Sequence, residues 1–224
     1  LSLLNKFKLK NILNLLLERN DINHKELFTA FCYLYSNEII NNLQRLESNL
    51  FETDTFKLFI NDKLIIKALR KIIFCNLEWE RILTKARKSI FELIIANKEK
   101  FSNDQLQFII ALGEQCFLNE YVYSFTKEEK KSVDTVIKRC IDGEINETNI
   151  SILSCYLPLY KLLERIPKLK SFKSSNQSFQ ELIKLQILEP IEEYKLSQTI
   201  KSLGSIKNDI SQQVKSQYEE NPYP

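Results

Sequence analysis

Ser102-Asn103-Asp104-Gln105-Leu106-Gln107-Phe108-Ile109-Ile110-Ala111-Leu112-Gly113-Glu114-Gln115-Cys116-Phe117-Leu118-Asn119-Glu120-Tyr121-Val122-Tyr123 decides the fold class. It opens on Ser and carries Gln three residues later, the pattern in which a side-chain oxygen and a reaching amide each satisfy one orphan backbone N–H at a helix start. Ile109, Leu112, Cys116, Asn119 and Tyr123 then recur at alternating spacings of three and four, one stripe of a helix expected to run through to Tyr123. The same periodicity extends in both directions, and strict apolar/polar alternation is nearly absent. The sequence predicts an all-α protein, an irregular array or bundle of about ten to twelve helices, solenoid-like at its N-terminal end.

Working toward the N-terminus, Asn76 with Glu78 and Glu80 opens a helix expected to reach about Ala96, and Asn61-Asp62 opens one through Leu64, Ile65, Ala68, Leu69 and Ile72. Leu3 to Leu16 marks a first helix ended by Asn20-Asp21. A second runs from Leu27 to Tyr35 and continues or restarts through Ile39, Leu43 and Leu46. The polar break Glu52-Thr53-Asp54 separates residues 1–52, a candidate end of a helical repeat array, from a main helical domain over 53–204. Working toward the C-terminus, Thr126 with Glu129 caps a helix closed by Asp142-Gly143. Short helices follow near 152–155 and 159–163, Pro167 reads as a stop, and 168–176 reads as an exposed loop. Ser178 with Glu181 reads as the cap of the next helix, which Pro190 restarts or kinks. Residues 205–224 form a last helix and a proline-rich connection, because Pro222 pushes Asn221 out of the α region.

Composition narrows the chemistry. The 224 residues hold 3 Gly, 1 His and 5 Cys, with 32 Lys+Arg against 29 Asp+Glu and no Met. Three scattered glycines build neither a G-x-G-x-x-G turn nor a P-loop, both of which need several positions where a backbone approaches a phosphate. His24 alone supports no His-rich zinc site and reads as a surface residue. The cysteines stand singly in apolar stretches, which fits free thiols in a reducing cytoplasm. No apolar run reaches the roughly 18 residues of a membrane span. A net charge of +3, with Lys and Glu interleaved, carries no strong nucleic-acid signal. The missing Met, with Leu1 already inside an amphipathic pattern, leads us to expect a piece of a longer polypeptide.

Candidate site residues are few. Asn119 puts an amide on an apolar stripe, where an unpaired amide costs roughly 1–3 kcal/mol, so it is expected to bond to a neighbouring helix end, with a partner contact by Asn119, Glu120 or Tyr121 as the other reading. Cys116 has no flanking cation to make it a nucleophile. Glu189, Glu192 and Glu193 surround Pro190 and read as helix-N-terminal acids rather than an acid/base pair. Gln217-Tyr218-Glu219-Glu220-Asn221-Pro222-Tyr223-Pro224 is the most specific motif, and Tyr218, Glu219, Asn221 and Tyr223 are its contact candidates. No catalytic and no metal-ligating residue is expected.

Three pieces in order, Gln115 to Val122, Glu189-Pro190-Ile191-Glu192-Glu193, and Val214 to Pro224, resemble the helical region that precedes the catalytic domain in bacterial class I S-adenosylmethionine-dependent methyltransferases with N-terminal tetratricopeptide repeats. The resemblance spans roughly Phe56 to Pro224. It implies a non-catalytic module that recruits or positions a protein or other macromolecular acceptor, beside a methyltransferase domain of the same polypeptide. The chain itself is expected to be inactive and to bind no cofactor, S-adenosylmethionine belonging to the parent protein. A stand-alone helical interaction scaffold is the alternative.

Overall fold

The computed structural model describes residues 3–35, 53–96, 101–200 and 208–220. The helical segment expected through Ile39, Leu43 and Leu46, Glu52 of the break at Glu52-Thr53-Asp54, and the boundary at residue 204 lie outside them; Thr53 and Asp54 are described and open a helix, Thr53 as its cap. Among the described residues every regular element is helical. In chain order they are α1 (Leu3–Glu18), a 3₁₀ turn (His24–Leu27), α2 (Phe28–Tyr35), α3 (Asp54–Ile60), α4 (Lys63–Lys71), α5 (Leu77–Ala96) and α6 (Asn103–Leu118). Then come α7 (Lys127–Ile141), α8 (Glu147–Ser154), 3₁₀ turns at Leu159–Leu162 and Pro167–Ser171, α9 (Gln177–Ile183), a π-turn (Lys184–Leu188), α10 (Glu189–Thr199) and α11 (Asp209–Glu220). The chain divides into two compact units, residues 1–190 and 191–224. No described helix is long and apolar enough to cross a membrane.

Helix α6 is the axis of the first unit, with α3, α4, α5, α8 and α9 packed around it. Its residues Phe108 to Cys116 are buried without interruption, Glu114 and Gln115 included. A helix buried all round must be apolar on every face, which Phe108-Ile109-Ile110-Ala111-Leu112 supplies. Gly113 lets α8 come close: a Cβ there would lie 1.9 Å from the Ser154 hydroxyl oxygen, which itself donates to the Ser151 carbonyl at 2.6 Å. Beside α6, the buried Trp79 of α5 is surrounded by Phe31, Tyr35, Phe59 and Phe74, with ring centroids 5.1–6.2 Å apart. Each such ring, fully buried, contributes roughly 1.5–3 kcal/mol.

The helix starts follow the sequence. Both capping boxes form, Ser102 with Gln105 and Thr126 with Glu129. Asp62 caps α4, and Asn76 accepts from the amides of Glu78 and Trp79. Two expectations change. Pro167 opens a 3₁₀ turn that buries Leu169, so 168–176 is part structure rather than all loop. Asn176, not Ser178, caps α9, accepting from Phe179 N–H at 3.3 Å, because Ser178 and Glu181 are both engaged by Arg70.

Candidate functional site

The helix expected to reach Tyr123 stops at Leu118, and its end decides where the candidates Asn119, Glu120 and Tyr121 go. Tyr121 N–H donates to Cys116 C=O at 2.8 Å and Glu120 N–H to Phe117 C=O at 3.1 Å, the paired bonds of a Schellman ending. Glycine is usual at its left-handed position. Here Glu120 takes it at φ 57° and Tyr121 follows at 60°. Neither residue signals a helix stop by its type, so this ending carries no local sequence mark.

Tertiary bonds hold this turn. The Tyr121 hydroxyl donates to Gln186 Oε1 at 3.1 Å. Gln186, fully buried in the π-turn, also accepts from Leu159 N–H at 3.3 Å and donates to Gly113 C=O at 2.8 Å. With a longer bond to Ser154 C=O at 3.4 Å, one amide therefore ties the Tyr121 turn to Gly113, Ser154 and Leu159. Arg87 of α5 secures the exit: its buried guanidinium donates to the carbonyls of Tyr123, Ser124 and Cys155 and lies 4.4 Å from the Tyr156 ring centroid. Neither Gln186 nor Arg87 carried a sequence signal, because each reads as an ordinary polar residue on an amphipathic helix.

Asn119 does not bond as expected. Its backbone N–H closes the helix on Gln115 C=O at 3.0 Å. Its side-chain amide lies beside the Tyr123 hydroxyl, yet the buried polar atoms of Gln115, Asn119 and Tyr123 reach no partner in hydrogen-bonding geometry. Glu120 is exposed. Burial holds the hydroxyls of Tyr121 and Tyr123 well above the usual tyrosine range, so both stay neutral.

The thiols are free. Burial pushes the Cys155 thiol well up, and neighbouring Cys116 adds to that shift. Cys140 is raised to about 11 by burial and then by Glu144. A thiol kept protonated is a poor nucleophile. His24 is half-buried, its Nε2 2.7 Å from Arg19 C=O. Glu189 and Glu192 form long ion pairs with Lys184 and Lys195, at 3.7 and 3.6 Å. Among the described residues no three His, Cys, Asp or Glu side chains group as a metal site.

An arrangement with no sequence motif stands out instead. Arg70 at the end of α4 forms a fork on Glu114, Nε to Oε2 at 2.6 Å and Nη2 to Oε1 at 2.9 Å. Its Nη2 also donates to Glu181 and its Nη1 to Ser178 at 3.2 Å. Burial raises the Glu114 carboxyl above its usual range despite the guanidinium. Glu181 is more open; the Gln177 and Arg70 hydrogen bonds outweigh its partial burial and hold it below that range. This cluster forms the wall of a cleft of about 530 Å³, which Lys67, Lys71 and Lys184 also line.

In the second unit, α11 carries Tyr218 and Glu219, both exposed, with Glu219 paired to Lys215 at 3.3 Å. Asn221 and Tyr223 lie outside the described residues. The helix starts on Asn208, which accepts from Ile210 N–H at 2.9 Å and Ser211 N–H at 3.3 Å. Ile210, Val214 and Tyr218 recur every fourth residue along one face and are 71%, 44% and 51% exposed. No family model, curated protein or solved structure matches the chain.

Proposed function

We propose that the chain is a non-catalytic helical module that recruits or positions a macromolecular acceptor for a class I S-adenosylmethionine-dependent methyltransferase domain of the same polypeptide, with α11 as the helix that docks on that domain. The observation that supports this reading is the exposed apolar row Ile210–Val214–Tyr218 on a helix whose other positions are Asp, Gln, Ser, Lys and Glu. An apolar stripe four residues apart is the pattern of a helix that lies in a partner's groove. Its occupant is named by the resemblance, which places Val214 to Pro224 next to the catalytic domain. Positioning alone lowers a transfer barrier by several kcal/mol, so such a module needs no chemical groups of its own.

The test uses the full polypeptide that carries this chain. Ile210→Asp with Val214→Asp is expected to lower methyl transfer to the macromolecular acceptor at least tenfold while S-adenosylmethionine affinity stays at the wild-type value. Wild-type transfer in the double variant, or a polypeptide without a methyltransferase domain, overturns the proposal and leaves the stand-alone scaffold.

A further inference from the structure

Residues 159–176 depart from the interleaving of lysine and glutamate seen along most of the chain. They hold Lys161, Arg165, Lys168, Lys170 and Lys173 against Glu164 alone, a net +4 where the whole chain carries +3. The fold turns this run outward. Leu162, Ile166 and Leu169 anchor the segment in the core, and Lys161, Arg165 and Lys168 each stand one position before an anchor, so they share one side. All five cations are exposed. Arg165 Nη1 lies 3.9 Å from Asp134 of α7, and the exposed Lys130 and Lys131 stand one turn before that same carboxylate. Lys138, one turn after it, is offset by Asp142 a turn further on. Glu147 accepts the Ser174 hydroxyl, while Glu128 and Glu129 line a separate cleft against Lys88 and Phe91 of α5. The face therefore sets seven cations against Asp134, Glu147 and Glu164, and among the described residues none of its lysines is ion-paired.

We propose that this face binds single-stranded nucleic acid without sequence preference, the five cations of 159–176 following the phosphates and Tyr160 stacking on a base. The chemistry of the face selects that partner. Its aliphatic side chains are turned largely inward, so it has little to offer a protein's hydrophobic anchor or the interior of a bilayer. Exposed pairs between lysines and single carboxylates are worth about 0–1 kcal/mol each, which leaves an acidic protein segment little to gain. A nucleic-acid strand gains more from the same lysines, because each neutralised phosphate releases condensed counterions. Tyr160 is 38% exposed beside Lys161, whose Nζ lies 6.0 Å from the ring centroid, and its ring gives a base a surface to stack on. Four of the five cations are lysines, point charges that follow a backbone rather than forks that read a base edge. The inference is independent of the methyltransferase reading.

Fluorescence anisotropy of a labelled oligouridylate of about 20 nucleotides, titrated with the chain at several salt concentrations, tests it. Wild-type protein is expected to bind, with log affinity falling against log salt at a slope of about −3.5 for five phosphates. Lys168→Gln with Lys170→Gln is expected to weaken binding about tenfold and to make that slope shallower by about 1.4, with circular dichroism confirming an intact helical fold. Lys8→Gln with Lys25→Gln, an equal change of net charge at exposed positions near the N-terminus, is expected to alter neither. Tyr160→Ala is expected to weaken binding about fivefold at an unchanged slope, and Tyr160→Phe to restore it. Absence of binding at low salt, an equal loss in the Lys8 and Lys25 double variant, or binding to polyglutamate or phosphatidylserine vesicles as tight as to the oligonucleotide overturns the proposal.

Discussion

Helices α6 and α7 end in the same hydrogen-bond pattern built from opposite materials. At the end of α7, Glu144 N–H reaches Arg139 C=O at 2.9 Å and Gly143 N–H reaches Cys140 C=O at 3.4 Å, with Gly143 at φ 113° and open space around it. At the end of α6 the same two bonds form, but Glu120 and Tyr121 take the left-handed backbone. A left-handed non-glycine residue costs roughly 1–2 kcal/mol. The α7 end avoids that cost by composition. The α6 end accepts it twice, because its turn aims Tyr121 at Gln186 and presents the Tyr123 and Ser124 carbonyls to Arg87. Backbone strain at α6 is thus held by tertiary bonds, and the two ends should respond oppositely when those bonds or the residues themselves are changed.

The largest effect is expected at the anchor. Gln186→Leu leaves Tyr121 Oη, Leu159 N–H and Gly113 C=O without their partner inside the core. Unsatisfied buried groups cost about 1–3 kcal/mol each, and relaxation recovers part of this, so a loss of about 3 kcal/mol is expected in urea unfolding. Amide hydrogen exchange should show the loss of protection concentrated at the α6 end, with the α7 end unaffected. Equal loosening of both ends would break the comparison.

That anchor also marks the limit of what the sequence discloses. The all-α class, the capping residues Asp62, Asn76, Ser102 and Thr126, and the Asp142-Gly143 stop were legible, because each rests on local chemistry that a few neighbouring residues complete. The α6 end was not. Leu118 to Tyr123 continues a helical pattern perfectly well in isolation, and it is Gln186, more than sixty residues away, together with Arg87 of α5, that makes the early turn worthwhile. The Arg70 cleft was illegible for the same reason. Ser178 and Glu181 have capping-box spacing, and the competing guanidinium comes from 108 and 111 residues earlier in the chain.

A second contrast appears at alkaline pH. Burial holds the Tyr35, Tyr121, Tyr123 and Tyr156 hydroxyls far above their value in the unfolded chain. A group with a raised folded pKa contributes stability in full below the unfolded pKa and loses it as pH rises toward the folded one. The loss therefore begins near pH 10, at about 1.4 kcal/mol per pH unit for each buried tyrosine. Two of the four flank the α6 end. The α7 end has Cys140, raised to about 11, whose smaller contribution fades between about pH 9 and that value. Tyr121→Phe is expected to flatten the decline of stability above pH 10 by one group's share in urea unfolding, whereas Cys140→Ala leaves the slope above pH 11 unchanged. An unaltered slope in Tyr121→Phe would mean that its hydroxyl ionises in the fold.

The smallest effects test the comparison most directly, through exchange of the two terminal residues. Gly143→Ala forces a Cβ into a left-handed backbone with nothing nearby to compensate, and is expected to cost about 1 kcal/mol. Glu120→Gly relieves the same strain at α6, roughly 1–2 kcal/mol, against the extra freedom glycine brings to the unfolded chain, about 0.4–1 kcal/mol. The difference predicts a gain of about 0.5 kcal/mol in urea unfolding, since the exposed Glu120 side chain is replaced without loss of a core contact. Opposite signs for the two substitutions would establish that the ends share one geometry and differ only in what enforces it. A loss on Glu120→Gly would instead assign the Glu120 side chain a contact of its own, and would make that residue, rather than Tyr121, the member of the α6 ending to examine for partner binding.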